Sequence, residues 1–389
     1  MKLSKNTTYL KQSPIRQLLK IVSEKDVISF SGGMPSVNTF PKEFMLKHLL
    51  GIIEEKGDLA LQYGPSEGFN FVREELARFV KRRRKIKTGF ENIYITTGSQ
   101  QMLYLVPQLF IDEGDIIGVE RPTYVGALCA FNFCGPKYME IKLVEDGLDT
   151  YELENKLKTT KIKFFYTIPI FHNPHGSTAT LEKKKHLLEL AEKHDFYILE
   201  DDPYGELAYD KLEYLPIKAL DRNDRVIYIS TFSKTFCPGF RLAFSIVPKD
   251  LLEKMLLLKQ NADLCPASFG QFLLFEYLKT KEIDKQIDFI KKYYKKLRDA
   301  MAESLEKYFP KSAKWHIPKG GMFFWISGLK MDTELLLKKS IQKKVLFVPG
   351  HSFFATNPEK DCMRLNFTYE SEEKIDKGIK ILGNLVKNL

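Results

Sequence analysis

Cysteine is scarce in this sequence: five residues in 389, at positions 129, 134, 237, 265 and 362. None forms a CxxC pair, and none has the Cys/His spacing of a zinc site, which argues against a disulfide framework or a structural zinc. Long apolar runs are missing as well. No stretch of about 18 apolar residues is available to cross a bilayer. The opening "MKLSKNTTYLKQSP" lacks the apolar segment of a cleaved signal peptide. A reducing, cytoplasmic setting with free thiols is the expectation. No GxGxxG follows a strand-like run, which disfavours a nicotinamide dehydrogenase. There is no internal repeat and no low-complexity linker.

What is present describes an ordered globular chain. Hydrophobic residues make up 44% and charged residues 28%, outside the range of disordered sequences. The net charge of +10, from 60 Lys and Arg against 50 Asp and Glu, bears on association with anions and not on fold. The most basic run, "VKRRRKIKTG" (80–89), reads as the exposed end of a helix that collects cations in its last turn and stops at Gly89. Interleaved aromatics and a nucleic-acid module are both lacking, so no nucleic acid is expected.

From about residue 90, short β-rich runs alternate with amphipathic stretches. "NIYITTGS" reads as a strand and turn, "QQMLYLVPQLFID" as the helix after it. "DIIGVERPTY", "KFFYTIPIFHNPHG", "FYILEDDPYG", "RVIYISTFSK" and "RLAFSIVP" are further strands, and "LEKKKHLLELAEKH" is helical. Such alternation predicts an α/β fold with a mostly parallel sheet covered by helices. After about residue 250, long Leu/Lys-rich helices and then short strands ("MFFWIS", "MRLNFT") predict a second, α+β unit.

Polar clusters fall at the carboxyl ends of these strands, where open α/β sheets place ligands. In "TTGSQQ", Gly98, Ser99 and Gln100 sit at a strand-to-helix junction whose N–H groups favour an anion; Ser99 is equally an ordinary N-cap residue. "TFSKTFCPGFRL" (231–242) gathers Thr231, Ser233, Lys234 and Arg241 around a Pro-Gly turn. That loop is either a solvated bend or part of a phosphate site in which Arg241 binds bidentately. Lys234 follows an apolar strand, and burial lowers a lysine pKa and opens Schiff-base chemistry. "ILEDDPYGELAY" ends a strand on Glu200, Asp201 and Asp202, which cannot all point one way. One carboxylate facing inward suits a cationic ring nitrogen; clustered carboxylates also suit Mg²⁺. His172 and His175 form an HxxH, interrupted by Asn173-Pro174 in a loop, and no metal is expected there.

Taken in order, these motifs resemble the fold-type I, pyridoxal-phosphate-dependent aminotransferases. The resemblance runs through "SPIRQLLK", "ISFSGGMPSVNTFP", "LQYGPSEG", "TTGSQQ", "RPTYVGAL", "FHNPHG", "EDDPYGEL", "STFSKTFCPGFRLAF", "PKGGMFFW", "LFVPGHSFF" and "MRLNFT". It is nearest to the 2-aminoadipate, kynurenine and multisubstrate subgroup. It implies a large domain (46–279) around a seven-stranded, mostly parallel sheet. A small α+β domain (280–389) follows, and an N-terminal segment (1–45) packs with it and with the site. Lys234 matches the lysine that holds the cofactor as a Schiff base, and Asp201 the partner of its pyridine nitrogen. Asn173 and Tyr204 match partners of its phenolate oxygen, and Tyr124 the ring that stacks on it.

Gly98, Ser99, Gln100, Thr231, Ser233 and Arg241 fall at phosphate positions. Tyr63 matches a tyrosine reaching the phosphate from a second subunit, which implies a homodimer. Arg364 matches the arginine that grips the substrate carboxylate. Gly33 lies at the start of a substrate-covering segment, and Arg16 resembles an arginine of that segment that meets a distal carboxylate. His175, where Thr or Ser is commoner, and Cys237 depart from the pattern. The implied activity is ping-pong transfer of an amino group from a 2-aminoadipate, aromatic, kynurenine or branched-chain donor to 2-oxoglutarate. A β-lyase or decarboxylase of the same fold is the rival. A cofactor-sensing DNA-binding regulator is disfavoured, because little sequence precedes "PIRQLLK" to supply a helix-turn-helix.

Overall fold

The computed structural model describes residues 3–10, 26–210 and 212–388. Thirteen strands are described. They are β1 (Ile28–Ser29), β2 (Ile93–Thr97), β3 (Ile116–Arg121), β4 (Lys137–Val144), β5 (Gly147–Leu148), β6 (Phe164–Thr167) and β7 (Tyr197–Asp201). The rest are β8 (Val226–Thr231), β9 (Leu242–Ile246), β10 (Phe323–Ile326), β11 (Val345–Leu346), β12 (Val348–Pro349) and β13 (Met363–Asn366). The main sheet runs in the order β2-β9-β8-β7-β6-β3-β4-β5. Pairs β3–β4, β3–β6, β6–β7 and β7–β8 are parallel, while β9 is antiparallel to β2 and β8. This is the expected seven-stranded, mostly parallel sheet; the eighth strand, β5, is a two-residue hairpin return onto β4.

The central strands are apolar along their whole length because helices cover both faces. Every residue of β6 and β9 is buried, as sheets covered on both sides require. One face packs Ile95, Ile198, Tyr228 and Phe244 against the helix Asn70–Arg84 and its neighbours. The other packs Val119, Phe164, Tyr166 and Ile229 with the helix Ser99–Phe110. Local signals start several of the helices. Thr180 caps Leu181–Lys193 through the Lys183 amide, and Asp149 caps Thr150–Leu157 through Glu152.

A separate apolar cluster gathers Phe30, Tyr294, Met301, Phe324, Phe347, Leu365 and Ile379. It is built on the antiparallel sheet β10-β13-β12 and the helices Glu282–Tyr308 and Glu372–Lys387. Residues 28–29 join it by parallel pairing of β1 with β11. That pairing brings the segment after residue 30 across the carboxyl ends of the main sheet.

The basic run departs from its expected form. Its helix ends at Arg84, and Lys85 makes the left-handed stop at φ 58°, so Gly89 takes no part in the cap. The end is only partly solvated: Lys81, Arg82 and Lys85 are exposed as expected, but Arg83 is half-buried and Arg84 buried. Carboxylates elsewhere in the fold draw these cations in, which their own sequence does not foretell.

Candidate active site

The strand β7 sorts its three acids by alternation. Glu200 turns to one face, where its oxygens accept from the amides of Ile217 and Lys218 at 2.7 and 2.8 Å. Asp202 turns the same way. It lies 2.5 Å from the Arg84 guanidinium and accepts from the Tyr228 hydroxyl at 2.7 Å and the Gly205 amide at 2.9 Å. Burial opposes charge on Arg84, yet Asp202 holds it firmly protonated. Asp201 turns to the opposite face, 2% exposed. Its Oδ2 accepts from the Tyr166 hydroxyl at 3.1 Å, and its Oδ1 has no partner among the described residues. Burial pushes the Asp201 carboxyl up to about 7; the Tyr166 bond opposes that rise and the neighbouring Asp202 adds to it.

Lys234 follows β8 on the loop that returns as β9. Its Nζ donates to the Gly33 carbonyl at 2.8 Å. Burial lowers this amine to about 8, and the charges of Arg241 and Arg364 push the same way. No carboxylate pairs with it among the described residues, so its neutral form is within reach near neutral pH.

Arg364 sits in the middle of β13, 1% exposed. It donates to Asn173 Oδ1 at 2.9 Å and to the Ser31 carbonyl at 2.7 Å. Its guanidinium carbon lies 4.1 Å from the Phe323 ring centre and 5.1 Å from that of Phe353, a desolvated cation–π sandwich. Its Nε has no partner, and burial pulls it down to about 10. Asn173 Nδ2 in turn reaches the Tyr204 hydroxyl at 3.4 Å. Gly33, Asn173, Tyr204, Lys234 and Arg364 are therefore linked through hydrogen bonds and charge. Tyr124, at the start of the helix Val125–Phe131, lies near enough to Tyr204 and Arg364 to affect their ionisation.

Beside them lies the corner expected to bind a phosphate. Gly98 stands at φ 70° ahead of the helix Ser99–Phe110, and its amide donates to the Arg241 carbonyl at 2.8 Å. A Cβ at Gly98 would fall 2.1 Å from an Arg241 guanidinium nitrogen, so only glycine permits this close approach. The Thr231 hydroxyl lies 3.0 Å from that of Ser233, and Gln100 spans to the Gly126 carbonyl. Tyr63 is 77% exposed on the surface after the helix Lys42–Ala60. Arg16 lies outside the described residues.

Several residues escaped the sequence reading. Tyr166, Phe323 and Phe353 were not singled out, and the run that contains Arg84 was read as a solvated helix end. His172 has a structural setting: its Nε2 lies 2.9 Å from Glu120, and its Nδ1 accepts from the His175 amide at 3.3 Å. Glu120 also accepts from Thr167 and from the Ile168 amide, tying down the loop that carries Asn173. Burial lowers His175 to about 3, so it stays neutral.

A mostly parallel sheet with Lys234, Arg241 and the buried Asp201 at its carboxyl edge is the arrangement that the resemblance to fold-type I, pyridoxal-phosphate-dependent transferases implies. More narrowly, residues 25–382 match the model of the aminotransferase class I and II family, and the chain belongs to that family. An aromatic-amino-acid aminotransferase of Thermococcus litoralis is 44% identical over 97% of this chain and 92% of its own length. A kynurenine aminotransferase of Pyrococcus horikoshii, solved with PMP, has a TM-score of 0.95 at 44% identity, covering 99% of this chain and 97% of its own. An α-aminoadipate aminotransferase of Thermus thermophilus, solved with N-(5'-phosphopyridoxyl)-L-leucine, has a TM-score of 0.93 at 34% identity, with 99% and 97% covered. These relatives place the chain in the subgroup its motifs resemble, with pyridoxal phosphate as cofactor.

The residues fit that cofactor on this chain's own geometry. Asp201 Oδ1 is a buried acceptor lacking a donor, as a protonated ring nitrogen requires. Lys234 is an amine tuned toward neutrality. The helix start at Gly98, with Arg241 and Ser233 beside it, suits a phosphate dianion.

Proposed function

We propose that this enzyme takes the amino group from an L-amino acid and passes it to 2-oxoglutarate in two half-reactions at one site. The observation that carries this reading is the convergence of Lys234, Asp201 and Arg364, each buried or half-buried and none bearing, among the described residues, the ion-pair partner its charge calls for. The phosphate is held by the amides at Ser99 and Gln100, with Thr231, Ser233 and Arg241. Asn173 and Tyr204 would bind the cofactor's phenolate oxygen, and Tyr124 would stack on its ring. Pyridoxal phosphate supplies an electron sink for the pair left when a bond to the substrate Cα breaks.

The protein supplies orientation and proton movement. Arg364 grips the substrate α-carboxylate bidentately and fixes which Cα bond points toward Lys234. Neutral Lys234 Nζ would take the proton from the donor's Cα and deliver it to the cofactor's C4′ carbon, the reverse transfer serving the 2-oxo acid, which needs an amine whose pKa lies near the working pH. Asp201, ionised, keeps a positive charge on the ring nitrogen. The Gly33 segment covers the site and excludes water.

The partner in this reading is a second copy of the chain, and each site is shared between the two. Leu46, Leu50 and Ile53 line one exposed face of the helix Lys42–Ala60, and Leu61 and Tyr63 extend it; such an apolar patch favours association. Tyr63 reaches the phosphate from the other subunit. Residues 46–279 form the cofactor-binding domain, and 280–389 with the N-terminal segment form the smaller one. Donors are drawn from the aromatic, kynurenine, 2-aminoadipate and branched-chain amino acids, with Arg16 reserved for acidic side chains.

The test is a donor panel in single turnover. Each competent donor alone is expected to yield one 2-oxo acid per site and then stop until 2-oxoglutarate is added. Continuous release of product without an acceptor would point to a lyase or decarboxylase instead.

A further inference from the structure

Among the described residues, the carboxyl of Asp201 has one hydrogen-bond partner, Tyr166, on the neighbouring strand β6. We propose that Tyr166 is a positioning residue: its hydroxyl occupies Oδ2 of Asp201 and so leaves Oδ1 as the oxygen offered to the cofactor's ring nitrogen. The inference rests on the reading of Asp201 as the partner of that nitrogen.

The geometry makes Tyr166 a fixed post. Its side chain is fully buried, and its ring meets Phe131 edge to face with centroids 5.3 Å apart. Phe131 is held in the same way by Phe164 at 5.5 Å. The hydroxyl therefore cannot follow Asp201; Asp201 must come to the hydroxyl. A carboxyl torsion is broad and roughly two-fold when left to itself, so one fixed donor is what selects an orientation. Proton bookkeeping supports the same role. Burial drives the Tyr166 hydroxyl well above its ordinary range, which makes it a permanent donor. A permanent donor favours the ionised carboxylate over the neutral acid.

A purely structural tyrosine would lower stability without altering how the protein senses the ring atom. The experiment therefore compares holoenzyme formed with pyridoxal phosphate against holoenzyme formed with its analogue bearing C–H in place of the ring nitrogen. The rate of cofactor loss on dialysis is measured for each. The wild-type protein should retain pyridoxal phosphate longer than the analogue. Asp201→Asn should erase that preference. Tyr166→Phe should shrink it about tenfold, the scale of a hydrogen bond to a charged group, while leaving the analogue's own release rate unchanged. The double variant should match Asp201→Asn alone. If Asp201→Asn erases the preference and Tyr166→Phe leaves it whole, the positioning role is overturned and the reading of Asp201 stands. If Asp201→Asn also keeps the preference, both fall. A Tyr166→Phe variant that releases both cofactors faster by the same factor is structural only, and likewise overturns the inference.

Discussion

The two sides of the end of β7 carry similar charges and treat them in opposite ways. Behind the strand, Arg84 and Asp202 are both buried and are bonded to each other, with Tyr228 and the Gly205 amide completing the set. In front, among the described residues, Asp201 has one donor, Lys234 a single carbonyl, and Arg364 two neutral oxygens and two ring faces. Desolvating a charge costs several kcal/mol unless it is paired. The rear pair is thus organised for the fold. The front groups keep their desolvation cost in the folded chain, and their perturbed pKa values mark it. In the proposed reading, a cofactor and substrate bringing charges of the complementary sign would meet that cost.

The sharpest way to break this contrast is to remove the front amine. Lys234→Ala should eliminate the visible absorption of bound cofactor and lower turnover by about 10⁴-fold or more, the range for loss of a positioned base. Its melting temperature without cofactor should not fall, since the variant removes a desolvated cation that no carboxylate pairs with. Normal transamination by this variant would end the assignment.

The two arginines should behave as mirror images. Arg84→Met leaves Asp202 buried without its cation and should cost about 3–5 kcal/mol in denaturant unfolding. Pairing it with Asp202→Leu should restore most of that loss. Arg364→Met should change stability by no more than about 1 kcal/mol, because freeing two neutral acceptors is offset by relief of a buried charge. Its effect falls on substrate: kcat/KM should drop about 100-fold for every amino donor, as expected for a bidentate carboxylate contact. If Arg364→Met unfolds the protein and Arg84→Met only weakens substrate binding, front and back have been misassigned.

How much of this contrast the sequence revealed follows from the distance over which each signal acts. The strand ends and their motif residues were legible, because alternation and turn chemistry are local. That one of three consecutive acids must face away from the others was also legible from strand geometry. Which one was not derivable from position alone: Asp201 is singled out by Arg84, 118 positions distant in sequence from Asp202, and by Tyr166 on the adjoining strand. Arg84 itself was read as solvated because nothing within "VKRRRKIKTG" indicates the acids it meets. Phe323 and Phe353 were invisible as partners of Arg364 for the same reason. An apolar strand looks alike whether it packs on another strand or on a guanidinium.

The pH response tests the front side more gently. Lys234 has a folded pKa of about 8 against about 10.5 unfolded. Between those values the unfolded chain binds the additional proton, so the cofactor-free protein should gain stability as pH rises through that window. Asp201 runs the other way: raised to about 7, it contributes stability at low pH that is lost as pH climbs through 7. Covalent capture of the cofactor aldehyde needs the neutral amine. Its rate, followed by stopped-flow absorbance, should rise about tenfold per unit and level off near pH 8. A rate still climbing at pH 10 would mean that Lys234 is an ordinary solvated lysine.

The smallest effect concerns the residue that stands apart from the rest. Tyr63 is 77% exposed within one chain, so by itself it cannot be told from a surface aromatic. Tyr63→Phe should weaken cofactor retention about fivefold, the worth of one partly solvated hydrogen bond. Its origin can be located by mixing subunits. In a dimer of one Lys234→Ala chain and one Tyr63→Phe chain, the site with a functional Lys234 lies on the Tyr63→Phe chain. If Tyr63 acts across the interface, that site receives an intact tyrosine from its partner, and retention there should return to the wild-type rate. If Tyr63 acts within its own chain, the same site keeps the fivefold defect. Recovery in the mixed dimer would show that the exposed tyrosine becomes part of the front side on assembly; persistence of the defect would confine the site to one chain.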